Sequence, residues 1–162
     1  MEYHRPVLLT ETVEGLNIQS NGVYVDVTFG GGGHSREILQ RLGEDGRLIA
    51  FDQDEDALQN TIDDPRFLLI HENFRYLKRF LRFHNIKEVD GILGDFGVSS
   101  HQFNVAERGF STRFEADLDM RMNQNATFSA YDVINKYSEE KLKNVLFQYG
   151  ELRASAGMAR LI

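Results

Sequence analysis

Four short runs of β-branched, aliphatic and aromatic residues alternate with helical segments as far as Asp95, and this alternation constrains the fold more than any other feature of the chain. Val23-Tyr24-Val25-Asp26-Val27-Thr28-Phe29 reads as a buried strand that stops at Gly30-Gly31-Gly32-Gly33. Ile38, Leu39 and Leu42 then recur at helical spacing over 35–42, Gly43 closes that helix, and Asp45-Gly46 turns the chain. Arg47-Leu48-Ile49-Ala50-Phe51-Asp52 is the second strand, followed by a short helix over 55–61 and a break at Asp63-Asp64-Pro65. A third strand, Phe67-Leu68-Leu69-Ile70-His71, leads into a helix over 76–83, and Val89-Asp90-Gly91-Ile92-Leu93-Gly94-Asp95 is the fourth. Strands separated by helices predict βαβ units, hence an α/β fold with a partial parallel sheet and right-handed crossovers, half of a Rossmann-like pattern.

After Ser99 the strand signal ends. Residues 99–137 read as polar and loop-like, with helical stretches over 130–136, 139–149 and 152–162. The expected division is a cofactor-binding core at 1–105 and the start of an inserted helical region at 106–162. The helical pattern reaches Ile162 without a cap, glycine or proline stop, and a doubly wound sheet usually carries strands beyond its fourth, so a truncated sheet is expected. The outer edge of strand four would then be open, which favours pairing with another copy, as in a homodimer, or with a separate C-terminal piece, or else lowers stability.

With 162 residues the chain has room for one full domain. Such a chain buries roughly 68–70% of its unfolded surface and needs no covalent staple. It contains no cysteine, which excludes disulfide scaffolds, thiol nucleophiles and cysteine-ligated metals and fits a reducing compartment. No charged-then-apolar leader opens the sequence and no apolar run approaches the roughly 20 residues of a membrane span, so a cytoplasmic, membrane-free protein is expected. His4, His34, His71, His84 and His101 show no ligand spacing, and no metal is expected. The net charge of −7 argues against non-specific coating of nucleic acid but leaves room for a local basic patch.

The chemistry concentrates in the first βα turn, where glycines let a ligand approach the backbone. Asp52 lies 20 residues after Gly32, the usual offset for a carboxylate that binds ribose hydroxyls, so an adenosine-type cofactor is indicated. Two cofactor classes share this layout. The dinucleotide fingerprint G-x-G-x-x-G is incomplete, because its third glycine position holds Ser35 or Arg36. The acid-x-x-x-G-x-G arrangement of S-adenosylmethionine enzymes is met from Asp26 to Gly32, and a cationic ligand favours nearby carboxylates. His34 reads either as a cap at the helix start or as a cofactor contact. Asp95 closes strand four, so it faces the same cleft. Asp95-Phe96-Gly97 also occurs in kinases, but no kinase catalytic loop accompanies it.

Beyond these readings, the strings His4-Arg5-Pro6-Val7-Leu8-Leu9, Asp26-Val27-Thr28-Phe29-Gly30-Gly31-Gly32-Gly33-His34-Ser35, Asp90-Gly91-Ile92-Leu93-Gly94-Asp95-Phe96-Gly97-Val98-Ser99-Ser100, Ala106-Glu107-Arg108-Gly109-Phe110-Ser111 and Leu118-Asp119-Met120-Arg121-Met122 occur in one order along the chain. They resemble the RsmH (MraW) methyltransferases. The resemblance implies S-adenosylmethionine as cofactor, 16S rRNA within the small ribosomal subunit as partner, and methylation of the N4 amine of a cytosine in the decoding centre. It also implies cofactor contacts at Gly32, Gly33, His34, Asp52, Phe74, Asp95 and Gln102, and Asp95 agrees with the carboxylate that such a transfer needs beside the acceptor amine. Phe96, Phe103 and Phe110 are candidates either for holding an unstacked base or for ordinary packing. Arg75, Lys78, Arg79 and Arg82, at i, i+3, i+4 and i+7 opposite Leu77, Phe80 and Leu81, form either a solvated helix face or an RNA-backbone contact, while Arg108, Arg113 and Arg121 are expected nearer the substrate. A nicotinamide-dependent oxidoreductase and a non-catalytic cofactor- or RNA-binding fragment are the rival readings.

Overall fold

The computed structural model describes residues 6–162, so His4 and Arg5 of the opening motif lie outside the described residues. The chain divides into two compact units, Met1–Ser99 and Ser100–Ile162, a boundary slightly ahead of the one expected at residue 105.

The first unit is built on four parallel strands in the order β3-β2-β1-β4, with β1 at Val23–Asp26, β2 at Arg47–Asp52, β3 at Phe67–His71 and β4 at Gly91–Leu93. The chain moves outward from β1 to β3 and then returns to the other side of β1, which creates a switch point between β1 and β4. Strand alternation sends opposite faces into two layers. Tyr24 and Leu48 join Val13, Ile38, Leu39 and Leu42 from helices α1 (Leu9–Gly15) and α2 (Gly33–Arg41), together with the segment that follows α2. On the other face Val25, Val27, Ile49, Phe51 and Ile70 receive Leu77, Phe80 and Leu81 from helix α3 (Leu77–Phe83). Leu48, Ile49, Ala50 and Phe51 of β2 are all buried, so this inner strand is enclosed on both faces.

Strands β1 and β4 are shorter than the apolar runs that contain them, for one shared reason. After Asp26 the Thr28 amide turns back to the Asp26 carboxylate at 3.0 Å, while the Val27 and Phe29 amides still reach the carbonyls of Leu93 and Phe51. The Asp95 amide likewise donates to the Thr28 hydroxyl at 2.7 Å, so polar side chains end both strands. The segment expected as a helix over 55–61 is a 3₁₀ helix, Glu55–Asn60, capped where the Asp54 carboxylate accepts from the Asp56 amide. Helix α1 was not anticipated: only Val13 of its seven residues is buried, which leaves little periodic signal.

The second unit holds α4 (Ser100–Asn104), α5 (Ala130–Lys136), α6 (Glu139–Gln148) and α7 (Ser155–Leu161). Helix α5 matches expectation. Helix α7 starts later than residue 152, following Glu151 in the left-handed region at φ 53°. Helix α4 and the 3₁₀ turn Ala106–Arg108 lie in a stretch expected to be loop. Among the described residues no helix is long and apolar enough to cross a membrane.

Candidate cofactor site

The site assembles at the carboxyl ends of the first unit's strands. Gly30 and Gly32 adopt φ of +50° and +74°, backbone that a Cβ disfavours, and this folds the chain sharply between β1 and α2. Two of the loop amides have partners within the protein. Gly30 N–H donates to Asp52 Oδ2 at 2.7 Å and Gly32 N–H to the Phe29 carbonyl at 2.7 Å. On the acceptor side, the Gly30 carbonyl takes a bond from Asn60 Nδ2 at 3.1 Å and the Gly31 carbonyl one from the Arg36 guanidinium at 2.6 Å.

Asp26 is fully buried beneath this loop. Its Oδ2 accepts from Ser35 Oγ at 2.7 Å and its Oδ1 from the Thr28 amide. Burial pushes its carboxyl above the usual range, with the Asp52 charge acting in the same direction, against the pull of Ser35, the Thr28 amide and His34. Asp26 therefore acts as an internal tie between β1 and α2. Asp52 closes β2, half-buried, with Oδ1 accepting from the Asp54 amide at 2.9 Å. Burial raises its carboxyl too, the neighbouring Asp54 adds to the rise, and the amides of Asp54 and Gly30 oppose it. The Gln53 amide opposes the rise as well.

Asp95 is exposed just beyond β4, on the other side of β1, and its amide is fixed by Thr28. Phe74, in the 3₁₀ turn Phe74–Tyr76 after β3, reaches the Phe96 ring at 5.6 Å and a 58° tilt, and Phe96 is 72% exposed. The structure thus brings Gly32, Gly33, Asp52, Phe74 and Asp95 to one end of the sheet. Thr28, Ser35 and Asn60 join them without having been singled out as site residues, although Thr28 and Ser35 lie inside the glycine-loop motif. The cap reading of His34 is corrected: it is the second residue of α2, buried, and its ring Nε2–H donates to the Val7 carbonyl at 3.2 Å, whereas the helix has no side-chain cap.

Gln102 is buried in α4 of the second unit. Phe103 and Phe110 also belong to that unit, the first 40% exposed and the second half-buried. Arg108, Arg113 and Arg121, expected nearer the substrate, all bond within their own unit, with Arg108 buried, Arg121 half-buried and Arg113 exposed. Buried Arg108 donates to the carbonyls of Arg121 and Met122. Arg113 binds the Phe103 carbonyl and Asn104 Oδ1, and Arg121 pairs with Asp119 at 2.6 Å and with the Ala126 carbonyl. These arginines organise a loop with few apolar anchors.

A glycine turn after β1, an acid closing β2 and a strand-order switch beside β1 define a Rossmann-like fold of the S-adenosylmethionine-dependent methyltransferase type. The model described as the MraW methylase family matches residues 1–162, and the chain belongs to that family. Among similar curated proteins are three named ribosomal RNA small subunit methyltransferase H. The one from Christiangramia forsetii is 68% identical over all of this chain and 54% of its own length. That from Flavobacterium johnsoniae is 66% identical with the same coverage, and that from Bacteroides thetaiotaomicron is 59% identical over all of this chain and 53% of its own length. The chain thus spans about half the length of the curated relatives it matches.

Proposed function

We propose that this chain serves an S-adenosylmethionine-dependent methyltransferase acting on 16S rRNA of the small ribosomal subunit, with the N4 amine of a decoding-centre cytosine as acceptor. The observation that carries the reading is the match to the MraW methylase family across residues 1–162, with relatives named for small-subunit rRNA methylation. The site's chemistry fits the cofactor. Half-buried Asp52 at the end of β2 and exposed Asp95 beyond β4 place two acidic side chains at the loop, which suits a cationic ligand, and a side chain built at Gly31 would meet nothing within 4 Å.

In this reading Asp52 takes the ribose hydroxyls, Gly32, Gly33 and His34 contribute backbone, and Phe74 lies against the adenine. Bound there, S-adenosylmethionine supplies an electrophilic methyl group on a sulfonium centre. Asp95 meets the acceptor. The lone pair of a cytosine amine is delocalised into the ring, so a carboxylate that accepts its N–H localises electron density on nitrogen and then holds the proton released. Thr28 and the end of β4 hold the Asp95 backbone, which lowers the reorganisation required. Exposed Phe96 offers a stacking surface for an unstacked base.

Asp52→Ala is expected to weaken S-adenosylhomocysteine binding by about 1–3 kcal/mol in calorimetry, the range for losing a charged hydrogen-bond partner. In the full-length protein Asp95→Asn is expected to reduce methyl transfer to immature small subunits more than cofactor affinity, read as N4-methylcytidine in nuclease digests. Equal losses of affinity and turnover would make Asp95 an ordinary binding residue, and a wild-type product other than N4-methylcytidine would overturn the assigned acceptor.

A further inference from the structure

From the distribution of charge on the first unit we infer that the outer face of α3 is a docking surface for the RNA phosphate backbone. The inference rests on the rRNA methyltransferase reading and assigns the substrate a route across the protein. Five of the chain's 18 lysines and arginines, Arg75, Lys78, Arg79, Arg82 and Lys87, fall between Glu72 and Glu88 with no acid among them. A chain of net charge −7 thus concentrates positive charge on one short helix and its flanks.

The structure divides that helix cleanly. Leu77, Phe80 and Leu81 pack against Val25, Ile49, Phe51 and Ile70 of the sheet, so α3 cannot rotate without exposing core. Arg75, Lys78, Arg79 and Arg82 are all exposed on the other side. Arg75 donates to the Tyr76 hydroxyl and lies over its ring, which holds a cation beside an aromatic at the start of the helix. Lys78, Arg79 and Arg82 span about 6 Å of helix axis, so their charges converge on a few adjacent phosphates.

Position supplies the second argument. Phe74 immediately precedes this basic segment and meets Phe96 next to Asp95, so the stripe begins where the candidate catalytic carboxylate stands. A strand whose target base lies near Asp95 and Phe96 can continue along α3 and exchange its counterions for fixed cations. Such contacts give affinity and register without reading sequence.

The test is a salt titration of binding between the full-length protein and a labelled hairpin of small-subunit rRNA, followed by fluorescence anisotropy. The wild type is compared with the triple variant Lys78→Gln, Arg79→Gln, Arg82→Gln, whose altered side chains are exposed. Each lost phosphate contact removes about 0.7–0.9 from the slope of log K against log salt, so the triple variant should lose about 2 and bind about tenfold or more weakly at low salt. S-adenosylhomocysteine affinity should stay at the wild-type value, and the charge-conserving triple Lys78→Arg, Arg79→Lys, Arg82→Lys should restore the slope. An unchanged slope in the glutamine variant, with the wild type binding RNA normally, overturns the docking surface alone. A wild type that binds no RNA overturns the rRNA reading as well. Loss of binding to phosphatidylserine vesicles with RNA affinity intact would assign the face to a membrane surface instead and overturn the inference.

Discussion

The two units of this chain are held together by different physics. Apart from the Asp26 network, buried positions in the first unit are mostly apolar and belong to strands or to the helices packed on them: Val13, Tyr24, Val25, Ile38, Leu48, Ile49 and Phe51 are all at most 2% exposed. In the second unit the buried apolar positions are Leu142 and Ala159, beside buried polar Gln102, Arg108 and Ser155. There the chain path is fixed by side-chain bonds to backbone carbonyls, most of all those of Arg108 and Arg121. A continuous apolar core tolerates small polar changes at its margin, whereas a polar scaffold depends on each of a few bonds.

The largest expected effect tests the apolar half of that contrast. Phe51 lies in β2, fully buried, with its ring edge-on to Phe80 at 6.1 Å. Phe51→Ala removes the side chain that joins the inner strand to α3 and should destabilise the first unit by about 3–5 kcal/mol in denaturant unfolding. A loss below 1 kcal/mol would mean that α3 and the sheet are not one cooperative layer.

Arg108 tests the polar half. Arg108→Met keeps much of the side-chain volume but leaves the carbonyls of Arg121 and Met122 without their donor, an expected loss of about 3 kcal/mol confined to the second unit. Hydrogen exchange should accelerate across 105–137 while the first unit's amides keep their protection. Uniform acceleration in both units would show that the two fold as one.

The same contrast decides how much was legible in the sequence. Strands β2 and β3 could be bounded to the residue because Leu48 to Phe51 and Phe67 to Ile70 are apolar runs with clear stops. The parallel order followed from alternation with helices, and the glycine run and Asp52 marked the strand ends where the candidate site assembles. Missed were features in which a side chain replaces a backbone partner. The Thr28 hydroxyl ends β4 by accepting the Asp95 amide, and Asp26 turns β1 by accepting the Thr28 amide, so both apolar runs outlast their strands. In the second unit no periodicity marks Arg108 as buried, and its place in a polar stretch after the strand-four motif reads as substrate-facing. The roles of Gly32, Gly33, His34, Asp52, Phe74, Asp95 and Gln102 as cofactor contacts rest on the family resemblance and remain part of the proposal.

Asp26 sharpens the comparison through pH. Its folded pKa is raised above the ordinary 3.8, so the folded protein retains this proton to higher pH than the unfolded chain. The associated stability is fully present below 3.8 and is lost as pH rises through the folded value. Asp26→Asn fixes a neutral group that can still bond Ser35 and the Thr28 amide, and it should gain on the wild type as pH climbs toward neutrality. Asp26→Ala, which strands both donors, should lose about 2 kcal/mol in the same melts. Parallel pH curves for the wild type and the Asn variant would show that Asp26 does not titrate in the folded protein.

The smallest effect lies at the start of α5 and has the opposite pH sign. Ser129 Oγ accepts from the Asp132 amide at 3.3 Å while Asp132 Oδ2 accepts from the Ser129 amide at 2.9 Å, a reciprocal cap on a helix with no fully buried residue. The Lys136 ammonium, 2.6 Å from Asp132, and the Ser129 amide draw that carboxyl down to about 2. Stability tied to Asp132 is therefore present above the ordinary value of 3.8 and is lost as pH falls through about 2. Lys136 is exposed and salt screens the pair, so the cap is the stronger handle. Ser129→Ala should destabilise α5 by about 1 kcal/mol and leave the first unit untouched. Backbone amide shifts of 130–136 followed by NMR from neutral pH downward provide the check. In the wild type they should hold until the acid limb of the Asp132 titration and then move together, and in Ser129→Ala they should already be shifted toward coil values at neutral pH. Identical shifts in the two proteins would mean that α5 is held by packing rather than by its cap, and the polar account of the second unit would then not extend to this helix.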